Sequence, residues 1–99
     1  MGDAAKEVYY VFMNYDPHYE RLRLDRSKKG IQVLNRYLSN KHKQFLAKLL
    51  QPNTYKKKCS LAIVDGFAVE ITQEQAEAIR SAKEVRVVDK NMELPSGAQ

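Results

Sequence analysis

The side chains able to do chemistry are few, and their spacing argues against catalysis. His18 and His42 are too far apart for local metal-ligand spacing. The single cysteine, Cys59, excludes an intrachain disulfide and a tetrahedral cysteine zinc site. In strand context it reads as a small, half-buried residue. The acids Asp16, Asp25, Glu70 and Asp89 fall into no pattern that a cleft could use as an acid–base pair. There is no glycine-rich phosphate loop, no His-Glu-x-x-His helix and no serine nucleophile elbow. The sequence therefore predicts a protein that is not an enzyme and needs no cofactor or metal. Its function is sought in a surface and a tail.

Ninety-nine residues suffice for one small domain, and the charged fraction of 29% is ordinary for a globular chain. Net charge is +5, with the excess concentrated in residues 21–29 and 41–58. That balance suits an anionic partner without requiring one, and a solvated basic face accounts for it equally. Residues 1–7 contain Asp3, Lys6 and Glu7 and no apolar run, and no later stretch approaches membrane-spanning length. The expectation is a chain without membrane contact, cytoplasmic unless a leader has been removed. Residues 1–7 read as a tail, 8–89 as the domain and 90–99 as an extended C-terminal tail.

The elements that must position any surface follow from periodicity. Residues 8–15 are aromatic and β-branched, with both alternating sets apolar, which predicts a strand ended by Asp16-Pro17. Residues 18–29 read as a loop with a helical turn. Over 31–50 the period changes, and Ile31, Leu34, Leu38, Phe45 and Leu49 share one helical face, with His42 beside them as a helix–sheet packing residue. Residues 55–64 alternate with Cys59, Leu61 and Ile63 assigned inward. Asp65-Gly66 marks a hairpin, and Phe67, Val69 and Ile71 continue inward with Ala68 and Glu70 opposite. Thr72-Gln73-Glu74-Gln75 fits a capping box at the start of a second helix. A last strand puts Val85 and Val87 inward, Arg86 and Val88 outward.

The order β-α-β-β-α-β predicts an α+β, ferredoxin-like fold: a four-stranded antiparallel sheet with two helices on one face. The other face then lacks cover from this chain. Alternation assigns to it Ala62, Ala68, Glu70, Arg86, Val88 and one apolar set of the first strand. An open face of small, apolar and aromatic residues is a candidate binding surface.

One stretch carries a family likeness. It comprises Asp65-Gly66-Phe67-Ala68-Val69-Glu70-Ile71-Thr72, Glu74-Gln75-Ala76 and Glu84-Val85-Arg86-Val87-Val88. Tyr10-Val11-Phe12-Met13 and Lys41-His42 with Phe45-Leu46 extend it towards the N-terminus. Together these resemble the N-terminal propeptides of subtilisin-like serine proteases, especially plant ones, over nearly the whole chain. Lys83-Glu84 departs from the likeness, standing where Pro-Gly or a similar turn is usual, and the expectation is that no protease domain follows. The resemblance implies a free-standing inhibitor, monomeric when free, whose partner is a subtilisin-like serine protease. It also implies that the open sheet face docks on paired surface helices of the enzyme, through Asp65, Ala68, Glu70, Arg86 and Val88. Asp65 or Glu70 would cap exposed amides at the enzyme's helix N-termini. The tail residues Met92, Glu93, Leu94, Pro95 and Ser96 would lie in the substrate cleft like a cleavage product, with Leu94 in the primary pocket and Pro95 hindering hydrolysis. A role as a folding chaperone acting in trans is implied as well.

An RNA-recognition-motif-like domain that binds single-stranded RNA shares the element order and is the alternative. Gly66-Phe67-Ala68-Val69 resembles part of that motif's aromatic signature. Asp65 replaces its basic residue, however, and Val69 and Ile71 replace the rings that stack on bases. These substitutions argue against a nucleic-acid partner.

Overall fold

Local signals account for most of the elements. In a computed structural model, which describes residues 5–91, they are β1 (Lys6–Met13), α1 (Pro17–Leu22), α2 (Lys28–Leu49), β2 (Lys56–Leu61), β3 (Gly66–Thr72), α3 (Gln73–Arg80) and β4 (Val85–Lys90). The expected helical turn after β1 is a six-residue helix, α1. It forms because Asp16 accepts a hydrogen bond from the His18 amide at 3.0 Å while Pro17 occupies the first turn. The capping box at α3 is present in both directions. Thr72 Oγ1 accepts from the Gln75 amide at 3.1 Å, and Gln75 Oε1 accepts from the Thr72 amide at 2.9 Å.

The strands form one antiparallel sheet in the order β2-β3-β1-β4, the ferredoxin-like arrangement expected. Phe45, Leu46 and Leu50 from α2 and its end, with Ala76 and Ile79 from α3, pack on Tyr9, Val11, Met13, Phe67, Val69, Ile71, Val85 and Val88. Tyr19 of α1 packs on Leu34 and Leu38 of α2 in a second, smaller cluster. The α2 stripe departs from the expected one at its start, where Ile31 is exposed, and gains Leu46, which is buried.

Two bulges change which side chains share a face. In the β1–β4 ladder Phe12 pairs with Val87 and Met13 with Val85, leaving Arg86 as an extra residue. Val85 and Val88, three residues apart, therefore both point into the core, and Val88 is only 6% exposed. The outward assignment of Val88 and the inward one of Val87 are thus reversed. In the β2–β3 ladder Lys57 pairs with Val69 and Cys59 with Ala68, so Lys58 is extra. Lys57 and Ser60 face the helices, where burial lowers the Lys57 pKa. Cys59 and Leu61 lie on the open side, and Ile63 is exposed, which corrects the inward assignment of all three.

The turn between β2 and β3 is also longer than the two-residue hairpin that Asp65-Gly66 suggests. It spans residues 62–65, and the left-handed residue is Asp65, with φ 48°. Gly66 is needed for space instead: a Cβ there would lie 2.6 Å from the Val11 carbonyl oxygen and 3.1 Å from Phe12 Cδ1.

Candidate functional site

The helix-free face of the sheet is built as three rows running across its strands. Directly paired residues point to the same side. Leu61, Gly66, Phe12 and Val87 make an apolar row at the end near the β2–β3 turn. Cys59, Ala68, Tyr10 and Asp89 make the middle row, and Lys56, Glu70 and Val8 the far one. Gly66 and Ala68 form the floor of a shallow trough along β3, between Phe12 and Tyr10 on one side and Leu61 and Cys59 on the other. Arg86, lifted by its bulge, stands over the Phe12 ring at 6.0 Å from the centroid.

Of the residues expected on this surface, Ala68, Glu70 and Arg86 lie on it. Ala68 is only 4% exposed, recessed among its larger neighbours. Val88 is beneath the sheet, as described above. Met92, Glu93, Leu94, Pro95 and Ser96 lie outside the described residues. Sequence reasoning missed Leu61, Val87 and Asp89 as members of the face and did not choose between the two apolar sets of β1. The set Val8, Tyr10 and Phe12 is half-buried and outward, while Tyr9, Val11 and Met13 are in the core.

Asp65 belongs to the interior instead. It is 4% exposed, and its carboxylate accepts from Lys41 Nζ at 2.6 Å and meets His42 Nε2 at 2.9 Å. A carboxylate of this kind can only accept, which puts a proton on Nε2 and leaves Nδ1 to take the Ser60 hydroxyl hydrogen at 2.9 Å. Lys41 also donates to Asp16 at 2.8 Å, and the Tyr37 hydroxyl donates to the other side of this network at Asp16 Oδ2. Burial alone would raise the Asp16 pKa, but hydrogen bonds from Lys41 and Tyr37 and the Lys41 charge hold it at about 2. Burial, reinforced by Asp16, raises the Tyr37 hydroxyl. Among the described residues no buried side-chain nitrogen or oxygen lacks a partner.

Ser60, His42 and Asp65 thus line up in the order of a hydrolytic relay, yet the arrangement holds the fold together. His42 is 0% exposed, and both its ring nitrogens are engaged within the protein. No substrate carbonyl can approach the serine while the imidazole is sealed between α2 and the sheet. A depression of about 510 Å³ beside α2 includes Lys41, Lys48 and Glu84. Its cations are already matched, Lys41 by Asp16 and Asp65, and Lys48 by Glu84.

The chain matches the family model for peptidase inhibitor I9 over residues 20–95. It is similar to subtilisin-like protease SBT2.5 of Arabidopsis thaliana, with 37% identity across 92% of this chain. The aligned region spans 13% of that relative's length. No solved structure matches the chain. Family and fold agree with a domain whose polar core is structural and whose open feature is a sheet face. The chain belongs to the peptidase inhibitor I9 family, that of the subtilase propeptides, and is an inhibitor domain rather than an enzyme.

Proposed function

We propose that this domain inhibits a subtilisin-like serine protease by seating its helix-free sheet face on the enzyme and laying the segment after β4 in the substrate cleft. The observation that carries the reading is that face, where Val8, Tyr10, Phe12, Leu61 and Val87 form a continuous apolar surface that no element among the described residues covers. Contiguous apolar surface of this kind is characteristic of interaction sites. The trough over Gly66 and Ala68 accepts a ridge from the partner, such as the side chains along an enzyme helix. Glu70 and Asp89 are the acids on this face and the ones free to meet exposed amides at a helix N-terminus. They also oppose a nucleic-acid phosphate, which weighs against RNA as the ligand.

Met92, Glu93, Leu94, Pro95 and Ser96 are separated from Lys90, the end of β4, by Asn91 alone, and pair with the cleft by strand addition. Leu94 fills the primary pocket. Pro95 then stands beyond the scissile bond, where its missing N–H and fixed φ slow hydrolysis. Because docking favours the folded enzyme by mass action, the same contacts let the domain assist the protease's folding.

The test is to measure inhibition constants for residues 1–99 against a panel of subtilisin-like proteases, and again for a chain ending at Asn91. Inhibition by the full chain, weakened by about a hundredfold or more on truncation, is expected. No inhibition anywhere in the panel would overturn the proposal, and undiminished inhibition by the shorter chain would remove the tail's part in it.

A further inference from the structure

The turn between β2 and β3 combines two properties that rarely go together. It is anchored at both ends and also presents apolar side chains to water. At one end, the Tyr19 hydroxyl donates to the Ala62 carbonyl. At the other, Asp65 is held by Lys41 and His42, and its carbonyl accepts from the Met13 amide at 3.0 Å. Between these anchors Ile63 is 82% exposed and Val64 43%. Tyr15, 78% exposed, lines the same recess of about 290 Å³ as Ile63, Val64, Tyr19, Arg23 and Arg86.

Neither Ile63 nor Val64 belongs to a core cluster, so the fold makes little use of their side chains. A loop already held in one conformation loses little further freedom on binding, so its apolar tips bind more favourably than those of a mobile loop. The loop also adjoins the apolar row of the sheet face. Leu61 and Gly66, paired across its base, belong to that row, and Arg86 borders both the row and the recess. A partner seated on the face therefore meets Ile63 and Val64 at the edge of its footprint.

We propose that residues 62–65 form a second, preformed protease contact, in which Ile63 and Val64 insert as an apolar knob into a hydrophobic depression of the enzyme that takes the sheet face. The inference rests on the protease-docking reading and extends it to a site off the sheet. Sheet and tail contacts supply the general fit, while the knob discriminates among enzymes according to whether the matching depression is apolar or charged.

The experiment compares the full chain with the double variant Ile63→Ser, Val64→Ser against the same panel of subtilisin-like proteases, with thermal melts and sedimentation of each free protein. The variant is expected to melt with the wild type, because both side chains are exposed, and to show an inhibition constant raised by about tenfold or more against the best target. A wild-type chain that inhibits while the variant inhibits equally well overturns the knob and leaves the docking reading intact. A wild-type chain that inhibits nothing overturns both. If the free wild-type chain dimerises and the variant is monomeric, the patch serves self-association and the inference fails. Should the double variant melt early, Ile63→Ser alone, at the more exposed position, is compared on the same criteria.

Discussion

Burial disfavours the charged imidazole of His42 more strongly than Asp65 favours it, and Lys41 and Lys57 add repulsion, so its pKa lies below the ordinary 6.5. The unfolded chain therefore takes up a proton near pH 6.5 that the folded chain refuses. Stability is fully present above that pH and falls as the pH drops from 6.5 towards the depressed folded value. Thermal melts between about pH 7.5 and pH 5 should show this decline, and His42→Gln should flatten it. An unchanged profile in the variant would assign the decline to another group. Asp16 acts in a separate, more acidic window, its contribution being lost as the pH falls from 3.8 to about 2. Asp65 carries the other residue-scale consequence. Asp65→Ala strands the buried His42 Nε2 proton and leaves Lys41 with Asp16 alone, so denaturant titration should show a loss of about 3 kcal/mol or more. A variant that kept its stability and lost only inhibition would return Asp65 to the docking surface. The turn at Asp65-Gly66 was legible in the sequence. That Asp65 carries the positive φ, and that Gly66 serves close approach, was not, because both depend on where Val11 and Phe12 pass.

At the scale of elements, β4 is where alternation misleads. A strict period of two assigns Val85 and Val87 to one face and Val88 to the other, and one extra residue inverts everything beyond it. The bulge at Arg86 does this, so adjacent valines have opposite environments. Val88→Glu should place a carboxylate under the sheet and destabilise by about 3 kcal/mol or more. Val87→Glu should leave stability within about 1 kcal/mol and raise the inhibition constant at least about tenfold. Paired urea titrations and inhibition assays check both, and a larger loss of stability in Val87→Glu than in Val88→Glu would mean that the bulge is absent in solution. The start of α3 was legible, because the Thr72-to-Gln75 box acts within a few residues and needs no distant partner. Asp16-Pro17 read as the end of β1, and the structure shows that it also starts α1.

For the whole molecule, the residues that build the core can be separated from the tail proposed to enter the cleft. The residues of both core clusters lie between Tyr9 and Val88, and the last described backbone bond joins the Asn91 amide to the Val8 carbonyl at 2.8 Å. A chain ending at Asn91 is therefore expected to melt within about 2 °C of the full chain while losing inhibition. A large drop in melting temperature would show that the later residues contribute to the fold. By itself the sequence determined the type and order of six of the seven elements, the ferredoxin-like arrangement and the likeness to subtilase propeptides, because propensity, capping and period act over short distances. The tertiary structure alone decided which face Leu61, Val87 and Val88 occupy and that Asp65 is buried against His42 and Lys41. Bulges form only when a particular partner strand is paired alongside, and a carboxylate is buried only where distant residues bring it a cation and an N–H donor.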